Sequence, residues 1–368
     1  MNILWFTWKD LKHPEAGGAE VLNEEHAKRL AKDGHHVTLL VGGFKGGRHT
    51  EVINGYTVIR VGNKYNLFWE AFRYYRRHLR GWDDLVIEEI NTAPFMTQWY
   101  TKNPRVIYMY QTCRKIWFHE IAFPMSIIGY VAEPLYLWLM RKNTLFTESK
   151  STKDEAMKFG FNSKKIHIIP VGIEVSGAKR TSPEPADKFK DPTILSLGTI
   201  RSMKQTLHQI KAFEIAKQLQ PNLKMKLAGA AVGAYGADVL AYLKNSPYTN
   251  DIEYLGRVDA RAKKTLMSRA HLITVTSIKE GWGLIVTEAG YYGTPAVVYN
   301  ADGLRDSVIH NKTGIICRHN SPEDLAHQIF ALINNKKRYK IMQKNVMTYS
   351  RKFTFDSAYK EFKKYLFP

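Results

Sequence analysis

The segment from Glu280 to Glu288 carries two carboxylates eight positions apart, with Gly281 and Gly283 between them. Glycine lets backbone N–H groups approach a ligand closely, and a helix that begins near Leu284 would attract phosphate to its N-terminus. Glu280 would then lie in the preceding loop, where it could accept hydrogen bonds from sugar hydroxyls, and Glu288 could accept them from a ribose. The spacing indicates a site for a nucleotide sugar, although by itself it also fits a loop before a solvated helix.

Two cations follow a predicted strand that ends at Gly198. Arg201 and Lys204 come directly after this strand, so they would lie at its carboxyl end, where open parallel sheets bind ligands. A pair of cations there suits a diphosphate, whose negative charge grows as a sugar leaves. The alternative is a solvated basic loop.

A second glycine pair, Gly17 and Gly18, follows the first predicted strand and precedes a helix. This arrangement also favours phosphate binding at a helix N-terminus, although it lacks the spacing of the dinucleotide-binding fingerprint. A glycine turn that serves packing alone is the alternative.

Strands and helices must alternate to place these residues, and both halves of the chain show that alternation. The predicted strands span 2–7, 36–41, 85–89, 105–110, 145–147 and 167–170 in the first half, and 193–198, 224–228, 252–255, 272–275, 296–299 and 314–317 in the second. Strands separated by helices form right-handed βαβ units and parallel sheets. The sequence therefore predicts an α/β protein of two doubly wound domains.

The domain boundaries follow from a change in composition. Residues 174–192 are rich in Ser, Pro, Gly, Lys and Asp and lack apolar periodicity, which is typical of a linker. We therefore expect a first domain at 1–173, a second domain at 193–350, and a C-terminal helix at 351–368. The apolar face of that helix should pack back on the first domain.

The composition points to an anionic partner and to a reducing compartment. The net charge is +20, which suits a phosphate-rich ligand, an acidic membrane surface or nucleic acid. Cys113 and Cys317 are too few for a disulfide framework, and the first residues run straight into a strand, with no sign of a signal peptide. Residues 121–140 are largely apolar but contain two prolines and Glu133, so we expect a buried or interfacial helix rather than a membrane span.

Several signatures are absent from the sequence. No Asp-x-Asp pair, Cys-x-x-Cys or His-Glu-x-x-His points to a metal, and neither a P-loop nor a Gly-x-Ser-x-Gly elbow occurs. Without an acidic metal pair, a transferase must stabilise its leaving group with Lys, Arg and helix dipoles. No RNA- or DNA-binding signature supports a nucleic-acid partner.

Motifs in a characteristic order make the chain resemble the GT-B retaining glycosyltransferases of glycosyltransferase family 4 over nearly its full length. The segments that carry the resemblance are Gly17-Gly18-Ala19-Glu20, Pro170-Val-Gly-Ile-Glu174, Gly198 with Lys204, Gly256-Arg257-Val258, Glu280 with Glu288, Gly293-Thr-Pro-Ala-Val297 and Gly303-Leu304. The resemblance implies a GT-B fold, in which two Rossmann-like domains face a central cleft. It also implies transfer of a hexose-type sugar with retention of anomeric configuration.

By this resemblance the second domain binds a nucleotide diphosphate sugar and the first binds the acceptor. The expected catalytic residues are Glu280, on the hydroxyls of the sugar, and Lys204 with Arg201, on the diphosphate; Glu288 would bind the ribose. The other expected donor-binding residues are Gly17, Gly18, Gly198, Arg257, Val258, Gly281, Trp282, Gly283 and Leu284. Family members often carry Arg directly after the strand glycine and a His near the end of a first-domain strand, whereas this chain has Thr199 and Tyr110-Gln111.

A predicted helix at 68–80 places a basic face beside an apolar one. The arginines recur at i, i+3, i+4 and i+7, and they are Arg73, Arg76, Arg77 and Arg80. The apolar face comprises Phe68, Phe72, Tyr75 and Leu79. Such a helix suits an anionic membrane surface or a phosphorylated acceptor, and an ordinary surface helix with a solvated basic face is the alternative.

The expected mechanism is same-face transfer, in which the acceptor attacks from the side that the diphosphate leaves and the departing phosphate takes the proton. Neither a metal nor a cofactor is expected. The partners would be a nucleotide-sugar donor and a glycan, lipid or phosphorylated acceptor, in the cytoplasm or peripherally on the inner face of the membrane. The alternatives are a GT-B nucleotide-sugar epimerase, which needs no acceptor, and a non-enzymatic basic nucleic-acid-binding protein.

Overall fold

The computed structural model describes residues 1–173 and 187–367, which form two compact units. The first unit comprises Met1–Trp117, Phe123–Gly172 and the residues from Phe355 onward. The second comprises Phe118–Ala122 and the described residues between Ile173 and Thr354. Of the predicted linker at 174–192, residues 174–186 lie outside the described part of the chain.

Eight strands form the sheet of the first unit. They are β1 Asn2–Phe6, β2 His36–Gly42, β3 Thr50–Ile53, β4 Tyr56–Val61, β5 Leu85–Ile90, β6 Arg105–Met109, β7 Thr144–Thr147 and β8 Ile166–Ile168. Their order across the sheet is β3-β4-β2-β1-β5-β6-β7-β8, and β3 runs antiparallel to β4. The chain thus winds outward from β1 in both directions, which is the pattern of a doubly wound sheet.

Helices cover this sheet on both faces. The helices of this unit are α1 Gly18–Lys32, α2 Leu67–Tyr74, α4 Met125–Met140 and α5 Lys150–Lys158, and the short α3 Trp117–Glu120 belongs to the second unit from Phe118 onward. Leu4 and Phe6 of β1 pack in one cluster with Leu67 and Ala71 of α2. Because both faces are covered, the side chains of β1 from Ile3 to Phe6 are fully buried, and such strands read as continuous apolar runs.

Six parallel strands form the sheet of the second unit. They are β9 Thr193–Leu197, β10 Lys224–Ala228, β11 Ile252–Gly256, β12 Leu272–Val275, β13 Ala296–Val298 and β14 Gly314–Ile316. Their order is β11-β10-β9-β12-β13-β14, so the direction of winding reverses between β9 and β12. In open α/β sheets, ligands bind in the crevice at the carboxyl ends of strands at this reversal.

The helices of the second unit lie on the two faces of its sheet. They are α6 Thr206–Leu219, α7 Gly233–Lys244, α8 Ala260–Arg269, α9 Leu284–Tyr291, α10 Leu304–Ser307, α11 Pro322–Asn334 and α12 Lys336–Ser350. Neighbouring residues of β9 face opposite ways: Ile194 packs with residues of α6 and α11, whereas Leu195 packs with residues of α8 and α9. The sheet is therefore buried between two apolar layers.

The C-terminal helix, α13 Phe355–Leu366, packs on the first unit. The ring of Phe362 stacks on Trp5 with centroids 5.9 Å apart and on His26 of α1 at 4.2 Å. Arg29 of α1 donates to the carboxylate of Asp356 at 2.9 Å. Apolar stacking at the middle of α13 and an ion pair near its start thus hold this helix against α1.

The structure departs from the predicted elements in two places in the first unit. The sequence prediction did not include β3 and β4. The predicted helix at 68–80 ends at Tyr74, and a π-helical turn follows over Tyr75–Leu79. Because a π turn holds more residues than an α turn, the four predicted arginines do not share one α-helical face, and that part of the prediction is wrong.

Candidate active site

An ion pair marks the reversal point of the second sheet. Lys204 lies in a short 3-10 turn after β9, and Glu280 lies in the loop after β12. The Lys204 ammonium donates to Glu280 Oε1, which also accepts a hydrogen bond from Ser277 Oγ at 2.6 Å. The two strands are neighbours, so the fold brings together a cation and a carboxylate that are far apart in the chain.

The loop that carries Glu280 is fixed by backbone contacts. The N–H of Glu280 donates to the carbonyl of Asp302 at 3.0 Å. Gly303 has a φ of 78°, and a Cβ there would lie 2.1 Å from the carbonyl oxygen of Glu280. Only glycine fits both the backbone conformation and the close approach, which explains the Gly303-Leu304 motif beside the paired glutamates.

The N-terminus of α9 follows the same loop. Gly283 is the N-cap residue, with a φ of 94°, and no side chain caps the helix. The first backbone N–H groups of a helix have no intrahelical partner and carry partial positive charge. The start of α9, at Leu284, therefore presents N–H groups of the kind that suit an anion, three residues after Gly281 and four after Glu280.

The indole of Trp282 supports this loop. Its Nε1 donates to Thr287 Oγ1 at 2.8 Å, and its ring packs against Phe353 with centroids 5.3 Å apart. The side chain of Trp282 thus links the loop to the first turn of α9 and to the segment that follows α12.

Glu288, one turn into α9, binds a cation that the sequence analysis did not identify. Lys263 of α8 lies 2.7 Å from Glu288 Oε2, and the carboxylate is mostly buried. Arg257 and Val258 lie between β11 and α8, six and five residues before Lys263 on the chain. The signal in the sequence was the position of Lys263 in the first turn of the helix that follows the Gly256-Arg257-Val258 motif.

Arg201 lies beside a second carboxylate of the same unit. It is the N-cap residue of the 3-10 turn that contains Lys204, and its Nη1 donates to Glu120 at 3.3 Å. His119 contacts the neighbouring Ser202, with 2.9 Å between His119 Nδ1 and Ser202 Oγ. The structure thus places the histidine and glutamate of Phe118–Ala122 against the cationic loop, a placement that the sequence could not provide.

All the residues predicted to bind the donor lie in the second unit, except for the pair Gly17 and Gly18. Gly198 directly follows β9 and precedes the loop that carries Arg201 and Lys204. Gly17 and Gly18 belong to the first unit, where Gly17 caps α1 at the carboxyl end of β1. The backbone N–H of Gly17 donates to the Glu20 carboxylate at 2.6 Å, so this carboxylate already binds one of the N–H groups at the start of α1.

The arginines of the predicted basic helix divide between a pocket and the surface. Arg73 pairs with Glu70 at 3.0 Å, and Arg76 and Arg80 are exposed. An open pocket of about 200 Å³ lies beside α2 and the end of β4. The side chains with basic groups that line it are His49, Arg60, Arg73, Arg77 and His78.

Two buried carboxylates at the carboxyl edge of the first sheet were missed by the sequence analysis. Burial raises the pKa of Glu89 to about 7, and the charge of Glu20 adds to this effect. Burial raises the pKa of Glu148 to about 8, and the charge of Glu89 adds to it. Glu89 accepts hydrogen bonds from Thr7 and, at 2.6 Å, from Asn23. For Glu89, the signal in the sequence was the pair of adjacent glutamates, Glu88 and Glu89, inside the otherwise apolar strand Leu85–Ile90.

Tyr110, which stands where family members often have histidine, contacts this buried group. Its hydroxyl donates to Asn23 Oδ1 at 2.6 Å, and Asn23 in turn donates to Glu89. Tyr110 is thus a buried member of the polar network at the end of β6.

Among the described residues, no group of three or more His, Cys, Asp or Glu side chains is arranged to hold a metal ion.

Two family models match successive halves of the chain: Glycosyltransferase Family 4 over residues 16–176, and Glycosyl transferases group 1 over residues 179–348. Glycogen synthase from Mycobacterium tuberculosis is 28% identical over 195 residues, which cover 51% of this chain and 44% of that protein. The chain thus matches less than half the length of that relative.

Solved structures extend the likeness to the whole chain. Sucrose-phosphate synthase from Thermosynechococcus elongatus has a TM-score of 0.78 at 17% identity, over 99% of this chain and 97% of that one. HepE from Anabaena, solved in complex with UDP-glucose, has a TM-score of 0.74 at 16% identity, over 100% of this chain and 99% of that one. At these identities the likeness shows the fold.

The fold, the family matches and the motif-bearing loops define the class. The chain is a GT-B glycosyltransferase of family 4 type. The fold class predicted from the sequence is thereby confirmed.

Proposed function

We propose that the protein moves a hexose-type sugar from a nucleotide diphosphate sugar to an acceptor hydroxyl, with retention of anomeric configuration and without a metal ion. The observation that carries the proposal is the Lys204–Glu280 ion pair at the reversal point of the second sheet. A cation for the diphosphate and a carboxylate for the sugar stand side by side there, as a donor that joins both groups requires.

The donor would lie along the carboxyl edge of the second sheet. Lys204, Arg201 and the N–H groups at the start of α9 would bind the diphosphate. Glu280 would accept from hydroxyls of the sugar, and Glu288 from the ribose. The complex of the similar protein HepE with UDP-glucose supports a donor of this chemical type.

Charge stabilisation can come from this chain's own cations. As the bond between the sugar and the diphosphate breaks, negative charge grows on the phosphate oxygens, and preorganised cations and N–H groups stabilise it without reorganisation. Arg201, Lys204 and the N-terminus of α9 supply such groups within one loop system. This supply supports transfer without a metal.

The transfer step requires no nucleophile from the protein. The acceptor oxygen forms a bond to the anomeric carbon on the face from which the diphosphate departs, and the bond from that carbon to the phosphate oxygen breaks. The acceptor proton passes to the departing phosphate oxygen. Retention follows because attack and departure share one face, and the contribution of the protein is orientation and charge stabilisation.

The acceptor would be a glycan, a lipid or a phosphorylated molecule bound by the first unit, and we place the reaction in the cytoplasm. The pocket beside α2 supports a phosphorylated acceptor, because Arg73, Arg77, His49 and His78 line it together. Two arginines can hold a phosphate through charge-assisted hydrogen bonds.

The test is transfer from a defined donor followed by NMR. The protein is incubated with UDP-, GDP- or ADP-hexose and a panel of glycan, lipid and phosphorylated acceptors, and the anomeric coupling of the product is compared with that of the donor. The proposal expects the same anomeric configuration in both. An inverted product would overturn the mechanism, and conversion of the donor into another nucleotide sugar without any acceptor would favour an epimerase instead.

A further inference from the structure

Helix α4 exposes apolar side chains along its whole length. The exposed residues of this 16-residue helix are Met125, Ile127, Ile128, Val131, Leu135 and Trp138. Val131 is 67% exposed and Leu135 61%. Large apolar side chains exposed in one continuous row are uncommon on a protein surface that faces water alone, and they mark sites of interaction.

The one charged residue of α4 does not interrupt this apolar face. Glu133 is buried, and its carboxylate accepts from the backbone N–H groups of Cys113 and Arg114 at 2.6 and 2.7 Å and from the indole of Trp117 at 3.0 Å. These contacts fix the side of α4 that faces the protein. The opposite side therefore presents only apolar groups.

Helix α4 and helix α2 cover the same face of the first sheet. The strand register places Phe6 beside Glu88, Glu88 beside Ile107, and Ile107 beside Leu145, so all four side chains point to one face. Phe6 packs in the cluster of α2, whereas Ile107 and Leu145 pack in the cluster of α4. We call α2, the segment 92–101 and α4, with the residues that adjoin them, the outer layer.

Tryptophans are concentrated on the outer layer. All three that are exposed in the described chain belong to it: Trp69 of α2, Trp99 of the segment 92–101 and Trp138 of α4. The segment 92–101 is tied to both neighbours, since Glu88 accepts from the N–H of Thr97 at 3.0 Å and Gln98 donates to the carbonyl of Leu139 at 3.4 Å. Tryptophan is enriched where a protein meets the interface between membrane and water.

The charges of the outer layer are almost all positive. Its acids are Glu133, which is buried, and Glu70, which pairs with Arg73 at 3.0 Å. Its exposed bases include Arg76 and Arg80 after α2 and Lys142 after α4. The Arg141 guanidinium lies 3.8 Å from the ring centre of Trp138, so cationic and aromatic groups adjoin at the end of the apolar face.

We propose that the outer layer docks on a bilayer that contains anionic lipid, with the apolar face of α4 inserted at the headgroup boundary. A helix with one fully apolar face and cationic neighbours binds in the plane of the interface rather than across it. In the described chain, no helix is long and apolar enough to cross a membrane. The apolar face of α4 therefore makes the main contribution to membrane binding, and the arginines that follow α2 add electrostatic attraction to the anionic lipid. This inference goes beyond the proposed transfer and does not depend on it.

Cosedimentation with vesicles tests the proposal on the full chain. The wild type is mixed with vesicles of phosphatidylcholine and phosphatidylglycerol and with vesicles of phosphatidylcholine alone, at low and at moderate salt. The first variant combines Val131→Ser, Leu135→Ser and Trp138→Ser, and the second combines Arg76→Ser, Arg80→Ser and Lys142→Ser. The matched control replaces three exposed apolar residues of the second unit, Leu219→Ser, Tyr254→Ser and Ile341→Ser.

The wild type should bind the anionic vesicles at both salt concentrations. The α4 variant should need at least about a hundredfold more lipid for half-maximal binding, because it loses three large apolar groups. The cation variant should need about tenfold more lipid than the wild type for half-maximal binding at low salt. At moderate salt the difference between the two should be smaller, because screening weakens the contribution of the cations to binding. The matched control should bind as the wild type does.

Three results would overturn the proposal. The wild type could fail to bind anionic vesicles at low salt, or the α4 variant could bind them as tightly as the control. The wild type could also form a dimer by sedimentation equilibrium that the α4 variant abolishes, which would assign the apolar face to a second copy of the chain. Thermal melting of each variant checks folding, and transfer to a water-soluble acceptor by the α4 variant should remain intact.

Discussion

Lys204 and Glu280 lie 76 residues apart in the chain and form an ion pair where β9 and β12 end side by side. Ser277 donates a hydrogen bond to the same carboxylate oxygen, and the backbone of Asp302 holds the N–H of Glu280. Each group therefore constrains the other. A change at either residue should alter how the second is presented to a donor.

Replacing the cation should slow the chemical step. Lys204→Ala removes the ammonium group expected on the departing diphosphate, so turnover should fall by roughly two to three orders of magnitude, the scale of losing one key stabilising group. Steady-state rates at saturating donor measure this effect. The matched control is Lys244→Ala at the end of α7, outside the site, which should stay near wild type. Near-normal activity of a folded Lys204→Ala protein would remove Lys204 from the mechanism.

The two glutamates should differ in what they affect. Glu288→Ala should chiefly raise the KM for the donor, because a ribose contact is made equally in the ground state and the transition state. Glu280→Ala should also lower kcat, because a contact to the reacting sugar can strengthen as the bond breaks. Initial rates measured over a range of donor concentrations separate the effect on KM from the effect on kcat. If neither variant changes kcat or KM, the paired glutamates serve structure alone.

Lys263 should act through Glu288. The 2.7 Å ion pair holds the Glu288 carboxylate toward α8, so Lys263→Ala should weaken donor binding by about two- to fivefold, the range of a partly exposed ion pair. The measurement is calorimetric titration with the nucleoside diphosphate. In a protein that already carries Glu288→Ala, the Lys263→Ala substitution should not weaken donor binding any further. A further loss of affinity in the double variant would show that Lys263 contacts the donor itself.

Transfer should continue in the presence of a chelator. Arg201, Lys204 and the N-terminus of α9 supply the charge stabilisation that a metal would otherwise provide. The measurement is the initial rate with and without EDTA at saturating donor. Loss of activity that magnesium or manganese restores would reveal a metal requirement and contradict this expectation.

The contribution of Glu89 and Glu148 to stability should fall as the pH rises from about 5 to 8. Burial raises the pKa of Glu89 to about 7 and that of Glu148 to about 8, from 4.5. In this window these two carboxyls have lost their protons in the unfolded chain but keep them in the folded protein, so their contribution to the free energy of unfolding decreases with pH. Glu148→Gln should flatten this dependence and stabilise the protein at pH 8 by ~1–3 kcal/mol. Thermal melting from pH 5 to 8 checks it, with the exposed Glu253→Gln as control. An identical pH dependence in Glu148→Gln and wild type would contradict it.

The local pattern of the sequence predicted most of the strands. β10 and β12 have the predicted bounds. The buried run of β12 is typical of an interior parallel strand, whereas β10 alternates two lysines with buried apolar residues. The hairpin of β3 and β4 was missed, although Asn54-Gly55 between them is a strong turn signal. Both turn residues have positive φ, 47° and 90°, as such a turn requires.

The pairings within the site depend on the order of the strands. The sequence analysis named Lys204, Glu280 and Glu288 as candidates but offered no reason to pair Lys204 with Glu280, because that contact exists only when β12 lies beside β9. The Glu288 partner, Lys263, sits on a different helix. The carboxylates of Glu89 and Glu148 were missed for a similar reason, since Glu89 lies on β5 and Glu148 follows β7, and only the order of the strands places both at the same edge of the sheet.

The π-helical turn illustrates a limit of helical periodicity. The spacing of Arg73 to Arg80 fits an ideal α-helix, yet the structure interrupts that helix after Tyr74 and keeps Tyr75 and Leu79 buried. Burial of these two side chains against the sheet is compatible with a wider turn, and the arginines are redistributed as a result. Periodicity alone cannot reveal such an insertion.

A donor screen by thermal shift tests the central claim most directly. Wild type, Lys204→Ala and Glu288→Ala are melted with UDP-, GDP- and ADP-hexoses. The proposed site predicts that at least one donor stabilises the wild type, by about 2.7 kcal/mol at a concentration one hundred times the Kd, and that both variants show a smaller shift. If no nucleotide sugar stabilises the wild type, or if the variants respond as it does, the assignment of this site to a nucleotide diphosphate sugar is contradicted.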